Sequence, residues 1–204
     1  MAPKLHKLDL NLHPRPYLDD TDKCYYFLEK EAEGFTHSPA NNLVHNFKKP
    51  VDRKGKPEWK YKIDAIEKFT KMLCKQKYPD SCVVIVPAPT SKPRGHAKWD
   101  DRIDQAVDGL HQCHSNLHVE KILDTAIAHT PAHTGGSRDI ATIKSQTVCT
   151  SLQNCSSGLV ILIDDVLTTG AHFKAWKELI LQNNPNVKDV LGLFLSLHMW
   201  GMEN

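Results

Sequence analysis

Asp164 and Asp165 stand side by side, and Thr168-Thr169-Gly170 follows two residues later. Those residue types suit a phosphorylated sugar. The backbone N–H groups of a tight turn entering a helix hold a phosphate. The hydroxyls of Thr168 and Thr169 add donors, and Gly170 lets the backbone come close. The two acids, one step away, accept hydrogen bonds from a ribose diol, or take a hard cation directly or through water. Thr90, Ser91, Lys92 and Arg94 form a second group, with hydroxyls and positive charge suited to a diphosphate. A third polar stretch, residues 130–147, contains Arg138 and Lys144.

The elements that must position these groups are legible around them. Residues 159–163 are an apolar, β-branched run that predicts a buried strand ending at the aspartates. A helical pattern follows from 171 to about 182. Residues 82–86 predict a second buried strand, which leads into the Pro87–Gly95 loop and a helix over about 99–114. Two strand–loop–helix units with polar chemistry at the strand's carboxyl end predict an α/β fold with a mostly parallel sheet. In such sheets the ligand crevice lies outside the carboxyl ends of the strands. Shorter signals predict strands at 24–28, 119–127 and 190–197 and amphipathic helices at 40–48 and 61–76. The 130–147 stretch has little apolar periodicity and reads as a lid.

Composition sets the outer bounds. A chain of 204 residues, 40% hydrophobic and 25% charged, suits one soluble domain with a sizeable core. A formal charge of +2 gives no basis for expecting a nucleic-acid partner. No apolar run spans a bilayer and no signal-peptide core opens the chain, so no direct membrane contact is expected. The cysteines at 24, 74, 82, 113, 149 and 155 are scattered without a C-x-x-C, which reads as free thiols in a reducing cytoplasm. His111, Cys113, His114 and His118 lack a clear second ligand pair and read as a polar helix end and loop rather than a metal site.

The stretch from Leu159 to Phe173 resembles the phosphoribosyl pyrophosphate (PRPP) loop of type I phosphoribosyltransferases, where apolar residues precede paired acids and a Thr-Thr-Gly. Over residues 42–197 the chain is similar to the ComF-like branch of that group. The likeness also covers the Leu43–Lys48 helix end and the Val-Pro-Ala-Pro strand end with Arg94-Gly95. It implies a Rossmann-like, mostly parallel sheet flanked by helices, in a single domain with a small N-terminal hood at about residues 1–40. Val166, Leu167, Thr168, Thr169, Gly170, Ala171 and His172 would then hold the 5-phosphate, His172 standing where the family usually has Thr. Thr90, Ser91, Lys92 and Arg94 would hold the pyrophosphate. The catalytic set would be Asp164 and Asp165 at the ribose with Arg138 and Lys144 on a mobile loop. Mg2+ is the implied cofactor, near Asp164 and Asp165 with no firm protein ligands. The implied reaction is transfer of phosphoribosyl from PRPP to a nucleobase-type acceptor, releasing pyrophosphate, in the cytoplasm. Relatives are commonly homodimers. The branch often begins with a zinc ribbon; only Cys24 precedes residue 74, so that module is missing here. Two other functions fit the same resemblance. One is a non-catalytic PRPP- or nucleotide-sensing module. The other is a scaffold or partner protein of a bacterial competence or defence system, with Tyr25-Tyr26-Phe27 as its contact surface.

Overall fold

Nine consecutive residues, Leu159–Leu167, form the central strand of a six-stranded sheet. The computed structural model describes residues 4–32, 34, 38–79, 83–127, 139–153 and 158–200. Its elements in order are β1 (His6–Lys7), β2 (Cys24–Lys30), α1 (Pro39–Phe47), α2 (Lys60–Cys74), β3 (Val83–Pro87), α3 (Arg102–Asp108), β4 (His118–Val119), β5 (Leu123–Thr125), α4 (Ile140–Ser145), β6 (Thr147–Cys149), β7 (Leu159–Leu167), α5 (Ala171–Asn183) and β8 (Asp189–His198). The large sheet runs β1-β2-β8-β7-β3-β4, and every pair in it is parallel except β1 with β2. β5 and β6 form a separate antiparallel ribbon. The fold is thus α/β with a mostly parallel sheet, as the strand–loop–helix units predict.

The chain moves outward from β3 to β4 through α3, and outward in the other direction from β7 to β8 through α5. Right-handed crossovers therefore set α3 and α5 on opposite faces of the sheet. The direction of travel reverses between β3 and β7, which is where an open α/β sheet forms its crevice. On the α3 face, α1 and α2 join in. Phe47 and Phe69 meet edge-on at 5.5 Å, and the Thr70 hydroxyl donates to the Ala106 carbonyl. On the other face Phe173 of α5 meets Phe194 of β8 edge-on at 6.1 Å. Between the layers Val84, Ile85, Leu162, Ile163 and Leu195 are fully buried, as strands covered on both faces require.

Several boundaries differ from the sequence expectation, each for a physical reason. β7 does not stop at the aspartates: β8 runs alongside it, so pairing continues to Leu167 opposite Leu197. β2, within the N-terminal segment expected as a hood, pairs with β8 inside the main sheet, burying Tyr26 and Phe27 in the core. Tyr25, the third aromatic of the expected contact surface, is half-buried. The helix expected over 99–114 is confined to α3 and a 3-10 turn at Gly109–Gln112. Within the supposed lid, the described residues from 139 onward are ordered elements. Asp139 caps α4 by accepting from the Thr142 N–H, and β6 follows directly.

The cysteines are not all free. The end of α2 and the 3-10 turn after α3 bring Cys74 and Cys113 to a Cα separation of 5.8 Å, and they form a disulfide. Scattered spacing hid a pair that becomes close only when the two helices pack. Cys24 and Cys149 are free, and burial pushes the Cys149 thiol up to about 11. Cys82 and Cys155 lie outside the described residues. No helix among the described residues is long and apolar enough to cross a membrane.

Candidate functional site

Parallel pairing of β3 with β7 places Pro87 opposite Ile163, and the Ala88 N–H donates to the Ile163 carbonyl at 2.8 Å. The first polar loop, with the half-buried Thr90, Ser91, Lys92 and Arg94, leaves the sheet here, whereas β7 runs four residues further, through Asp164 and Asp165 to Leu167, before the Thr168–Gly170 turn.

The turn after β7 is built around Gly170, whose φ of +87° is the left-handed region that a side chain disfavours. A β-carbon there would also run into Leu18. The Gly170 carbonyl accepts from the Lys174 N–H at 2.9 Å, which starts α5. Ala171, His172 and Phe173 follow, and first-turn amides have no helical acceptor behind them. Val166 and Thr168 are half-buried, and Leu167 and Thr169 buried. The His172 ring lies against Trp176, 5.1 Å between centroids, one turn along α5. A strap from residues 9–22 closes the outer side of the turn. The Tyr17 N–H donates to the Thr169 carbonyl, and Leu18 covers Gly170. Lys174 pairs with Asp19 at 2.7 Å and Asp22 at 2.8 Å, and Lys177 with Asp22 at 2.8 Å.

Strand alternation sends the two aspartates to opposite faces. Asp165, 4% exposed, points to the α1–α3 face. Its Oδ2 accepts from Arg102 Nε at 3.1 Å and Nη2 at 2.6 Å, and its Oδ1 faces Lys48 Nζ at 3.0 Å. Arg102 Nη1 reaches Asp100 at 2.8 Å, and Lys62 Nζ reaches the same carboxylate at 2.8 Å. Lys48 and Arg102 hold the Asp165 carboxyl well below the usual range, against the cost of burial. Asp164 is half-buried, and its Oδ1 accepts from the Asp165 N–H at 2.7 Å. Burial, then the Asp165 charge, push its carboxyl up to about 7. Asp164 is thus the less committed acceptor at the crevice, whereas both oxygens of Asp165 are engaged.

Among the expected diphosphate cations, Arg94 is tied inward. Its Nε and Nη2 each reach Asp104 at 3.2 Å, and Nη1 donates to the Leu123 carbonyl at 2.6 Å. Its own N–H donates to Asp124 at 3.1 Å. It braces the loop against α3 and β5. Thr90 accepts through its carbonyl from the Thr125 hydroxyl. Lys144 lies on α4, packed against α5, and pairs with Glu178 at 3.0 Å. Arg138 lies outside the described residues.

Sequence reasoning missed Lys48 and Arg102 as partners of Asp165, 117 and 63 positions away respectively. The available signal was chemical: a carboxylate drawn into a buried strand end needs cations, and the start of the helix after β3 is a near supplier. Among the described residues no three His, Cys, Asp or Glu side chains converge to hold a metal. Cys113 is in the disulfide, and the His114 Nε2 lies 2.9 Å from the Cys74 carbonyl. A depression of about 320 Å3, lined by Glu120, Lys121, Ile122, Thr150, Ser151 and Gln153, includes none of the site residues. No family model matches the chain, and no curated protein matches it.

Proposed function

We propose that this protein binds PRPP or a related ribose 5-phosphate compound at the carboxyl edge of β3 and β7, and transfers the phosphoribosyl group to a nucleobase-type acceptor, releasing pyrophosphate. The observation that carries this reading is the β3–β7 pairing at the point of reversal. It brings the strand end that leads into the Thr90–Arg94 loop alongside β7 just before Asp164. The 5-phosphate goes to the amides after Gly170 and the hydroxyl of Thr168, and Asp164 accepts from the ribose diol. As the anomeric bond breaks, positive charge grows on the ribose and negative charge on the departing diphosphate. An ionised Asp164 favours the first, and fixed cations favour the second. Asp164 also fits a Mg2+ ion carried in on the diphosphate, because a half-buried carboxylate beside another gains from a cation. The ion would neutralise charge on the leaving group. No protein nucleophile is required.

A second reading, PRPP sensing without turnover, is favoured by one observation: Arg94 and Lys144, two of the expected leaving-group cations, are engaged elsewhere. Purified protein incubated with PRPP, Mg2+ and a panel of purines, pyrimidines and analogues separates the two. Transfer predicts pyrophosphate release with some acceptor, lost in Asp164→Asn. Calorimetric PRPP binding without release by any acceptor selects sensing. Absence of binding to PRPP and to ribose 5-phosphate rejects both.

A further inference from the structure

On the α1–α3 face three cations, Lys48, Arg102 and Lys62, pair directly with two carboxylates, Asp165 and Asp100. The three are not equally committed. Lys62 is 0% exposed, and its ammonium donates to Asp100, to the Phe47 carbonyl at 3.1 Å and to the Lys49 carbonyl at 2.7 Å. All three of its protons are used. Arg102 spends Nε, Nη1 and Nη2 on the two carboxylates. Lys48 differs. Its side chain is 32% exposed, and it is the second cation on a carboxylate that Arg102 already grips with two nitrogens.

Lys48 is also placed to act. Its backbone forms the end of α1, where its N–H donates to the Val44 and Asn46 carbonyls. The root of the side chain is therefore fixed while its ammonium reaches β7. Lys30, at the end of β2, is close enough for the field of Lys48 to help lower its own ammonium, after burial. Lys30 and Lys48 thus bring positive charge from β2 and α1 to the carboxyl ends of the strands, where Lys48 meets Asp165 of β7.

We infer that Lys48 is the cation that binds the diphosphate of the ligand, turning part of its ammonium from Asp165 to the phosphate oxygens while Arg102 keeps Asp165 ionised. The inference rests on the proposal that a phosphorylated ribose binds at this edge, and it assigns to Lys48 the role that the sequence gives to Arg94 and Lys144. Charge-assisted contacts to phosphate are strong, and Asp165 retains Arg102 when Lys48 is neutralised.

The test is calorimetry of the whole protein with two probes, Mg2+–PRPP and ribose 5-phosphate, which differ in the diphosphate. Wild type is expected to bind both. Lys48→Met is expected to lose at least about tenfold in affinity for PRPP and less than about twofold for ribose 5-phosphate, the strength of a charge-assisted hydrogen bond. Lys48→Arg is expected to restore most of the difference. Equal loss for both probes, or loss for neither, overturns the assignment while leaving the sugar-phosphate site intact. Wild type that binds neither probe removes the site and Lys48's role with it. If Lys48→Met unfolds, Lys48→Gln with the same two probes discriminates in the same way.

Discussion

The two faces of β7 at its carboxyl end carry the same side chain and treat it in opposite ways. On the α1–α3 face, Asp165 is sealed in by Arg102 and Lys48, and the helices around it are further tied by the Cys74–Cys113 disulfide. On the α5 face, Asp164 is half-buried with its carboxyl pushed up by burial and its neighbour. A strand alternates faces residue by residue, so a one-residue step separates a carboxylate paired with cations on both oxygens from a half-buried one that accepts from a backbone N–H.

The largest test of that contrast is a pair of isosteric changes. Asp165→Asn leaves Arg102 and Lys48 without their carboxylate, and breaking a buried pair from one side costs about 3–5 kcal/mol. Asp164→Asn removes a carboxyl that is already difficult to ionise, so stability is expected to stay level or rise while ligand affinity falls. Urea denaturation with PRPP titration reads both. Equal destabilisation by the two variants would erase the distinction between the faces.

Next comes the staple. Replacing Cys74 and Cys113 with Ser is expected to cost about 2–4 kcal/mol, the usual range for a native cross-link. The bond lies on the α1–α3 side, so ribose 5-phosphate affinity at the other face is expected to be unchanged. Thiol labelling of the native protein without reductant checks the premise: Cys74 and Cys113 should not react.

The pH dependence of stability sharpens the contrast further, because the two aspartates act in opposite windows. Asp165 is held below its unfolded value, so its contribution is present above about pH 3.9 and drains away as pH falls below it. Asp164 is raised to about 7, so the folded protein keeps a proton that the unfolded chain has lost. Its contribution is fullest below about pH 3.9 and is lost as pH rises towards 7. The wild type should therefore lose about 1–2 kcal/mol from pH 4 to 7 through Asp164, a figure reduced for partial exposure. Asp164→Asn should remove that slope and leave the acid limb. A wild-type curve that rises across this window would contradict the assignment.

Much of this was readable from the residues, for reasons that also explain what was not. The 159–163 run and the 171–182 pattern announce a strand and a helix because burial imposes their periods locally. The turn between them is legible because only certain residues suit it. The end of β7 was not, since its continuation past the aspartates depends on β8, some thirty residues later in the chain. Arg94 suits a diphosphate for the same reason that it braces its loop: a guanidinium matches a phosphate or a carboxylate, and its pairing with Asp104 comes from packing that no local pattern shows. Lys48 and the disulfide are likewise products of helix packing across long separations, which no local pattern encodes.

Lys144 gives the smallest expected effect and decides what the supposed lid does. Its ion pair with Glu178 is partly exposed, and such pairs contribute about 0–1 kcal/mol, so Lys144→Ala should barely change the urea midpoint. Glu178 lies seven residues beyond Ala171 along α5, which at the helical rise is about 10 Å from the start of the helix. A lysine anchored there braces α4 against α5, and its removal should leave both PRPP affinity and any turnover as they were. Were Lys144 to swing over the departing diphosphate instead, turnover would fall by about 10²–10³ at unchanged stability, the loss typical of a transition-state donor. Single-turnover pyrophosphate release by Lys144→Ala distinguishes the two. A large fall would place the 139–149 segment on the ligand side of the molecule and make the α5 face, not the α1–α3 face, the one that supplies the leaving-group cation.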